Sequence, residues 1–149
     1  MARRQIEVEA HSEAPRARLF GLLADPASWP AWSPLDRVEI EREGEPPPDG
    51  VGAIRVNTRW RVVGRDEVTE LVEGERFGYR SLSGLPVRDY RAAVELGDAG
   101  AGGTRIVWRA SFEPKLPGSG PILAIGLTRF LQSCADGLAG ALRARGDGT

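Results

Sequence analysis

Residues 121–143 read PILAIGLTRFLQSCADGLAGALR, and the period of this stretch sets the architecture. Leu123, Leu127, Leu131, Cys134, Leu138 and Leu142 recur at spacings of four, four, three, four and four. Such spacing lays apolar side chains along one stripe of an α-helix. A helix is therefore expected from about Pro121 to Arg143, with Arg143 and Arg145 favouring its negative pole. Small residues flank the stripe: Gly126, Ser133, Gly137 and Gly140. A glycine inside a helix costs about 1 kcal/mol relative to alanine, so three of them imply close backbone approach or volume left open.

A long leucine stripe needs a broad apolar partner, and the preceding sequence supplies one. Between Arg37 and Phe112 the apolar period is two, the signature of strands with one buried face. Val38 and Ile40 alternate with glutamates, then Pro46-Pro47-Pro48-Asp49-Gly50 marks a loop. Ile54, Val56, Thr58, Trp60 and Val62 share one face; Ala53, Arg55, Asn57, Arg59 and Arg61 share the other. The apolar set is expected to point inward and the arginines outward. Glu67 to Val72 is a further strand with two possible faces, Val68-Glu70-Val72 or Glu67-Thr69-Leu71. Phe77 and Tyr79 alternate with Arg76, Gly78 and Arg80. Tyr90, Ala92, Val94 and Leu96 form the next face, and Thr104, Ile106, Trp108, Ala110 and Phe112 the last. The short Gly-rich connection 97–103 joins two of these strands and opens no helix, so it lacks the context of a phosphate loop.

At the N-terminus, Ile6, Val8 and Ala10 alternate with Glu7, Glu9 and His11, giving one more strand. Pro15 suits a first helical turn, Leu19, Phe20, Leu22 and Leu23 form a helical stripe, and Asp25-Pro26 ends it. A second short turn carries Trp29 and Trp32. The order is strand, two short helices, about six strands, one long helix. Strands grouped together and helices set apart make an α+β domain, with residues 1–149 expected to form a single unit.

Composition narrows the function. A net charge of −1 opposes non-specific nucleic-acid binding, which needs a basic surplus, and opposes a polybasic membrane anchor. The longest uncharged stretch, Leu116 to Thr128, contains two Pro and three Gly and is shorter than a bilayer span of roughly 17–25 residues. Stable membrane insertion is not expected, and the absence of a secretory h-region after Arg3-Arg4 makes a cytoplasmic location the expectation. Cys134 is the only cysteine and His11 the only histidine. A Cys–Cys or His-rich metal site is therefore excluded, and no cofactor is implied. His11 reads as a surface residue and Cys134 as a small buried hydrophobe.

The candidate site lies between sheet and helix. Trp60, Tyr79, Tyr90 and Trp108 fall on apolar strand faces, where large rings hold a sheet away from a covering helix. Pockets of this kind are mostly apolar with a few placed polar groups, and the two phenols would supply them. Trp32, Val56, Leu127 and Leu131 complete the expected lining. Glu70 joins it on the first of its two possible faces, as a buried acid able to act as a general base. Arg55, Arg59, Arg61, Arg105 and Arg109 are expected on a solvated outer face. Leu85-Pro86-Val87 and the segment Leu116 to Ile122 could flank a pocket mouth. No catalytic set is evident, and the outer faces fit a monomer and a homodimer equally.

The stretch Ala14-Pro15 through Leu19-Phe20-Gly21-Leu22-Leu23-Ala24-Asp25-Pro26, then Trp29-Pro30 and Trp32-Ser33-Pro34, resembles the START-like (SRPBCC) superfamily. More narrowly it is similar to the polyketide cyclase/dehydrase and lipid-transport branch. Phe77-Gly78-Tyr79-Arg80, Gly102-Gly103-Thr104-Arg105-Ile106-Val107-Trp108 and the C-terminal helix extend the likeness along the chain. The resemblance implies a helix-grip fold: a seven-stranded antiparallel sheet wrapped around the long helix, two small helices closing one end, and a deep hydrophobic cavity. It implies a small hydrophobic ligand such as a lipid or polyketide. Members range from lipid carriers to aromatase/cyclases to chaperone activators, so a binding module, a cofactor-independent polyketide cyclase/dehydratase and a protein-interaction domain all stay open.

Overall fold

A computed structural model describes residues 3–141. Strand β1 (Arg4–Ser12) leads into helix α1 (Arg16–Ala24), a single 3-10 turn (Pro26–Ser28) and the short helix α2 (Trp29–Trp32). Six strands follow: β2 (Arg37–Arg42), β3 (Ile54–Arg59), β4 (Val62–Val72), β5 (Arg76–Ser83), β6 (Val87–Asp98) and β7 (Thr104–Pro114). Helix α3 (Gly120–Ala141) closes the described chain; Leu142, Arg143 and Arg145 lie outside the described residues.

The strands form one antiparallel sheet in the order β1-β7-β6-β5-β4-β3-β2. Strands β2 to β7 each pair with the next in sequence, β2 and β3 through the longer connection 43–53, and β1 returns to flank β7, which leaves β1 and β2 as the two edges. The alternation in β1, β6 and β7 holds as read: Ile6, Val8, Val94, Leu96, Ile106, Trp108 and Phe112 are buried. The α3 stripe is buried in its second half, through Leu131, Cys134, Ala135 and Leu138. Each fully buried leucine there contributes about 2 kcal/mol by area removed from water. Gln132 Nε2 donates to the Glu9 carbonyl at 3.0 Å, and Ser12 Oγ to the Ala139 carbonyl at 2.8 Å, so α3 is tied to β1.

Two strand faces depart from the expectation. In β3 the sense is inverted: Arg55 and Asn57 turn inward beside Trp108 and Cys134. Val56 turns outward between Glu39 and Arg65, its partners on the two neighbouring strands, where long arginine stems cover apolar surface. Trp60 is not on a strand face at all. It sits at the β3–β4 tip with φ 56° and is 76% exposed. Periodicity gives the alternation of a strand but not which side faces the core when the inner side is partly polar.

In β4 a bulge resolves the ambiguous face. Val68 pairs with Tyr79, Glu70 with Gly78 and Leu71 with Phe77, so Thr69 is the extra residue. One extra residue switches the strand's alternation, and Val68 and Leu71 both pack into the core. Glu70 is thereby turned outward, where it accepts from Arg76 Nε at 2.7 Å. A Cβ at Gly78 would lie 3.1 Å from Thr69 Oγ1 and 3.2 Å from Glu70 Cβ, so the bulged pair fills the space opposite.

The α3 glycines separate into two kinds. A Cβ at Gly137 would overlap the Trp32 carbonyl, whereas Gly126 and Gly140 have nothing within 4 Å. Gly137 lets α3 touch the backbone of α2. Gly126→Ala and Gly140→Ala are expected to stabilise the fold by up to about 1 kcal/mol each. Gly137→Ala is expected to destabilise it by about 1–3 kcal/mol through overpacking. Urea unfolding of the three variants checks both signs.

Candidate functional site

The interior of the grip holds a small cavity of about 60 Å³, lined by Trp29, Leu35, Arg55, Asn57, Asp66, Val68, Phe77, Tyr79, Trp108, Phe130 and Cys134. Five of its eleven wall residues are aromatic. Trp29 meets Trp108 edge-on at 5.9 Å and Phe77 at 6.2 Å, Phe77 lies 5.8 Å from Tyr79, and Tyr79 lies 6.3 Å from Tyr90. Aromatic pairs at these separations add to the burial they already provide.

Polar groups enter this wall at defined points. Arg55 stands directly opposite Asp66 in the β3–β4 register. Its Nη1 donates to the Leu23 carbonyl at 3.2 Å and its Nη2 to the Ala24 carbonyl at 3.0 Å. These are the last carbonyls of α1, which lack helical partners and favour a cation. The guanidinium also lies 5.0 Å from the Phe77 ring centroid and 5.8 Å from that of Trp29, close enough for cation–π attraction. Among the described residues, Arg55 Nε is the one buried side-chain N or O atom without a hydrogen-bond partner. Burial lowers the Arg55 pKa to about 10, which leaves it charged at neutral pH.

Asp66 Oδ2 accepts from Asn57 Nδ2 at 2.5 Å, and Tyr79 Oη accepts from Trp108 Nε1 at 3.2 Å. Asp66 and Tyr79 both line the cavity and lie deep in the protein. Burial raises the Asp66 carboxyl from its ordinary 3.8 to about 7, against the opposing pull of Asn57 and Arg55. Burial likewise raises Tyr79 well above the usual phenol range. Tyr90 moves the same way, and the buried Cys134 thiol is pushed up to about 12. Cys134 is therefore a neutral wall residue, and a thiolate nucleophile is absent from this cavity wall.

Asp66 gives the fold a pH signature. Between about pH 4 and 7 the folded state holds a proton that the unfolded state has released. Stability then falls as pH rises through this window, with a slope of up to about 1.4 kcal/mol per unit. Asp66→Asn is expected to flatten that part of the stability–pH profile, measured by denaturant unfolding at several pH values.

Of the expected lining, Tyr79 and Trp108 border the cavity, and Tyr90 is buried beside Tyr79. Leu131 and Trp32 are buried in the adjoining core, Trp32 with its Nε1 on Ser28 Oγ at 3.1 Å. Leu127 is half-buried one turn up from Leu131. Trp60, Val56 and Glu70 lie elsewhere, for the reasons given above. The sequence reading missed Arg55, Asn57 and Asp66. A hairpin centred on Trp60-Arg61 places Arg55 across from Asp66, so the register carried the signal.

A larger hollow of about 1090 Å³ opens on the outer side of the sheet, bordered by Glu7, Glu67, Glu70, Arg76, Arg80 and Arg109. It is solvent-open and its charges pair with one another: Arg76 with Glu70 and Glu95, Arg80 with Glu67, Arg109 with Glu7 and Glu95. Such exposed pairs are worth little and leave few unmet contacts. The inner cavity, with its unmet donor, is the better candidate.

Comparison with known proteins agrees with this geometry. No curated protein matches the chain. Among solved structures, the Zhui aromatase/cyclase of a Streptomyces species superposes with a TM-score of 0.80 at 18% identity, covering 97% of this chain and 96% of that one. Ara h 8.0201 gives 0.77 at 18% identity, covering 96% and 99%. A START superfamily protein from Mycobacterium smegmatis gives 0.77 at 16% identity, covering 97% of each. At such identities the likeness is one of fold, and it is the helix-grip fold described above. The sequence itself carries the family pattern over residues 3–143. With sheet, helix and pattern in agreement along nearly the whole chain, the protein belongs to the polyketide cyclase/dehydrase and lipid transport family.

Proposed function

We propose that the grip binds a small, mostly apolar molecule that presents one carboxylate, enolate or carbonyl oxygen to Arg55. The observation that carries this reading is the buried, unpartnered Nε–H of Arg55, a residue that shares the cavity wall with aromatic and aliphatic side chains and with Asn57 and Asp66. A buried donor left unmet costs about 1–3 kcal/mol, and an oxygen-bearing guest relieves that cost. The cavity of about 60 Å³ has room for roughly two waters, whereas metabolite pockets run to about 300–1,000 Å³. Guest binding on this reading requires the first half of α3 to move outward. That half is the looser one: after the buried Gly120, Ile122 and Ile125 are exposed and Leu123 and Leu127 only half-buried, and full burial resumes at Leu131.

Native mass spectrometry of freshly purified protein is expected to show a co-purified small molecule on the 16.1 kDa chain. An empty protein that also fails to bind a fluorescent fatty-carboxylate probe would refute the reading.

A second reading is favoured by Asp66. A carboxyl that titrates near neutrality, across from a cation, suits cofactor-independent cyclisation or dehydration of a polyketide. Asp66 would take a proton from the carbon beside a carbonyl, and Arg55 would hold the oxygen as it turns anionic. With a poly-β-ketone substrate, Asp66→Asn is expected to lower turnover by about 100-fold or more. Unchanged turnover removes this role and leaves binding intact.

A further inference from the structure

One end of the sheet differs in character from the other. The β3–β4 tip, the β5–β6 turn and the β7–α3 connection all lie at the same end, because the antiparallel register brings Arg59 beside Val62 and Val87 beside Pro114. Seven of the nine exposed large apolar side chains among the described residues lie at this end. Trp60, Val62 and Val63 project from the hairpin, Leu82 from the end of β5, and Leu116, Ile122 and Ile125 from the entry to α3. Trp60 and Ile122 are the most open, at 76% and 75%.

Charge follows the same division. Residues 59–63, 82–88 and 115–120 contain Arg59, Arg61, Arg88 and Lys115, and the acidic groups beside them are Asp36 and Asp89. The connections at the opposite end, 13–15, 43–53, 73–75 and 98–103, contain Glu13, Glu43, Glu45, Asp49, Glu73, Glu75 and Asp98 and no basic residue. A chain of net charge −1 is thus strongly polar along its strands. The Trp60 ring is presented outward by a left-handed backbone whose N–H is held by Asp36 Oδ2, and Arg61 lies 4.9 Å from the ring centroid. A bulky residue at positive φ is rare, and here it displays an indole at a tip, flanked by cations.

We propose that this end docks on the surface of an anionic lipid bilayer, with Trp60 seated at the headgroup level and Arg61 and Lys115 against the lipid phosphates. An apolar set split among three tips, ringed by cations and backed by an acidic far end, matches a fluid negative surface better than a flat protein face. The contact is peripheral: among the described residues no helix is long and apolar enough to cross a membrane. The inference goes beyond guest binding, and it fails or stands separately, because the test uses vesicles without any added guest.

The experiment is co-sedimentation with phosphatidylcholine vesicles, with and without phosphatidylglycerol. The protein is expected to pellet with the anionic vesicles, to release as salt is raised, and to stay in solution with the neutral ones. Arg61→Gln and Lys115→Gln are each expected to weaken partitioning about fivefold, and Trp60→Ala about tenfold or more. All three side chains lie on exposed tips, so thermal unfolding of the variants is expected to match the parent. Equal partitioning into neutral and anionic vesicles, or binding unchanged in the Trp60→Ala, Arg61→Gln, Lys115→Gln triple variant, overturns the proposal. So does a concentration-dependent dimer that Trp60→Ala abolishes, which would assign this end to a second copy of the chain.

Discussion

Trp108→Ala is expected to lower the unfolding free energy by about 3–5 kcal/mol, whereas Trp60→Ala is expected to change it by less than about 0.5 kcal/mol. Trp108 is fully buried on β7, meets Trp29 edge-on, and donates its indole N–H to Tyr79. Truncation removes that packing, opens a void too large for its neighbours to close, and strips the Tyr79 hydroxyl of a donor. Trp60 has little packing to lose. Trp108→Phe separates the contributions: it retains most of the ring burial and loses the hydrogen bond, so a loss of about 1–2 kcal/mol is expected. Chemical denaturation with both transitions followed by far-ultraviolet circular dichroism gives the comparison. Similar losses for Trp108→Ala and Trp60→Ala would show that the two rings are wrongly placed.

Arg55→Met is expected to weaken binding of a carboxylate-bearing guest by about 10- to 100-fold, the range of one hydrogen bond to a charged group. Its effect on folding is smaller and has opposed parts. The Leu23 carbonyl retains the Trp29 indole at 3.1 Å, but the Ala24 carbonyl loses its donor from Arg55, at a cost of about 1–3 kcal/mol. Removal of a largely buried cation offsets part of this. Arg55→Lys keeps the charge, but its single ammonium nitrogen cannot serve both carbonyls and still donate to a guest, so it is expected to bind little better than the methionine variant. Titration of a fluorescent fatty-carboxylate probe measures the affinity, and urea unfolding measures the stability. Wild-type affinity in Arg55→Met would place the guest's oxygen elsewhere.

The elements and their order were readable from residue patterns, because each depends on local regularity. The α3 stripe, the alternation in β1, β6 and β7, and the Asp25-Pro26 stop each state a period or a break that backbone geometry enforces. The family likeness added the seven-stranded wrap. The site was readable only in part. Tyr79 and Trp108 were found because they are large and lie on faces whose other members are plainly apolar. Arg55, Asn57 and Asp66 were hidden by the rule that polar faces turn outward. A functional cavity breaks that rule on the strands that line it, so the most regular strand in the sequence was assigned the wrong way round. Glu70 was misplaced for a different reason: a bulge at Thr69 leaves no mark in a pattern of single residues. Trp60 was misplaced because its left-handed backbone ends the strand at Arg59, while the alternation in the sequence continues to Val62.

The sheet is not closed on itself; β1 and β2 remain as free borders. The hydrogen bonds from Gln132 to Glu9 and from Ser12 to Ala139 bind α3 along the β1 border, and β2 is short, with an irregularity between Ile40 and Arg42. Exposed strand borders recruit strands from other molecules, and a helix laid against one border or a kink in the other suppresses this. The helix that covers the cavity is therefore also a guard against self-assembly, and a chain cut before Gly120 should aggregate through β1 before it has any chance to test its hold on a guest.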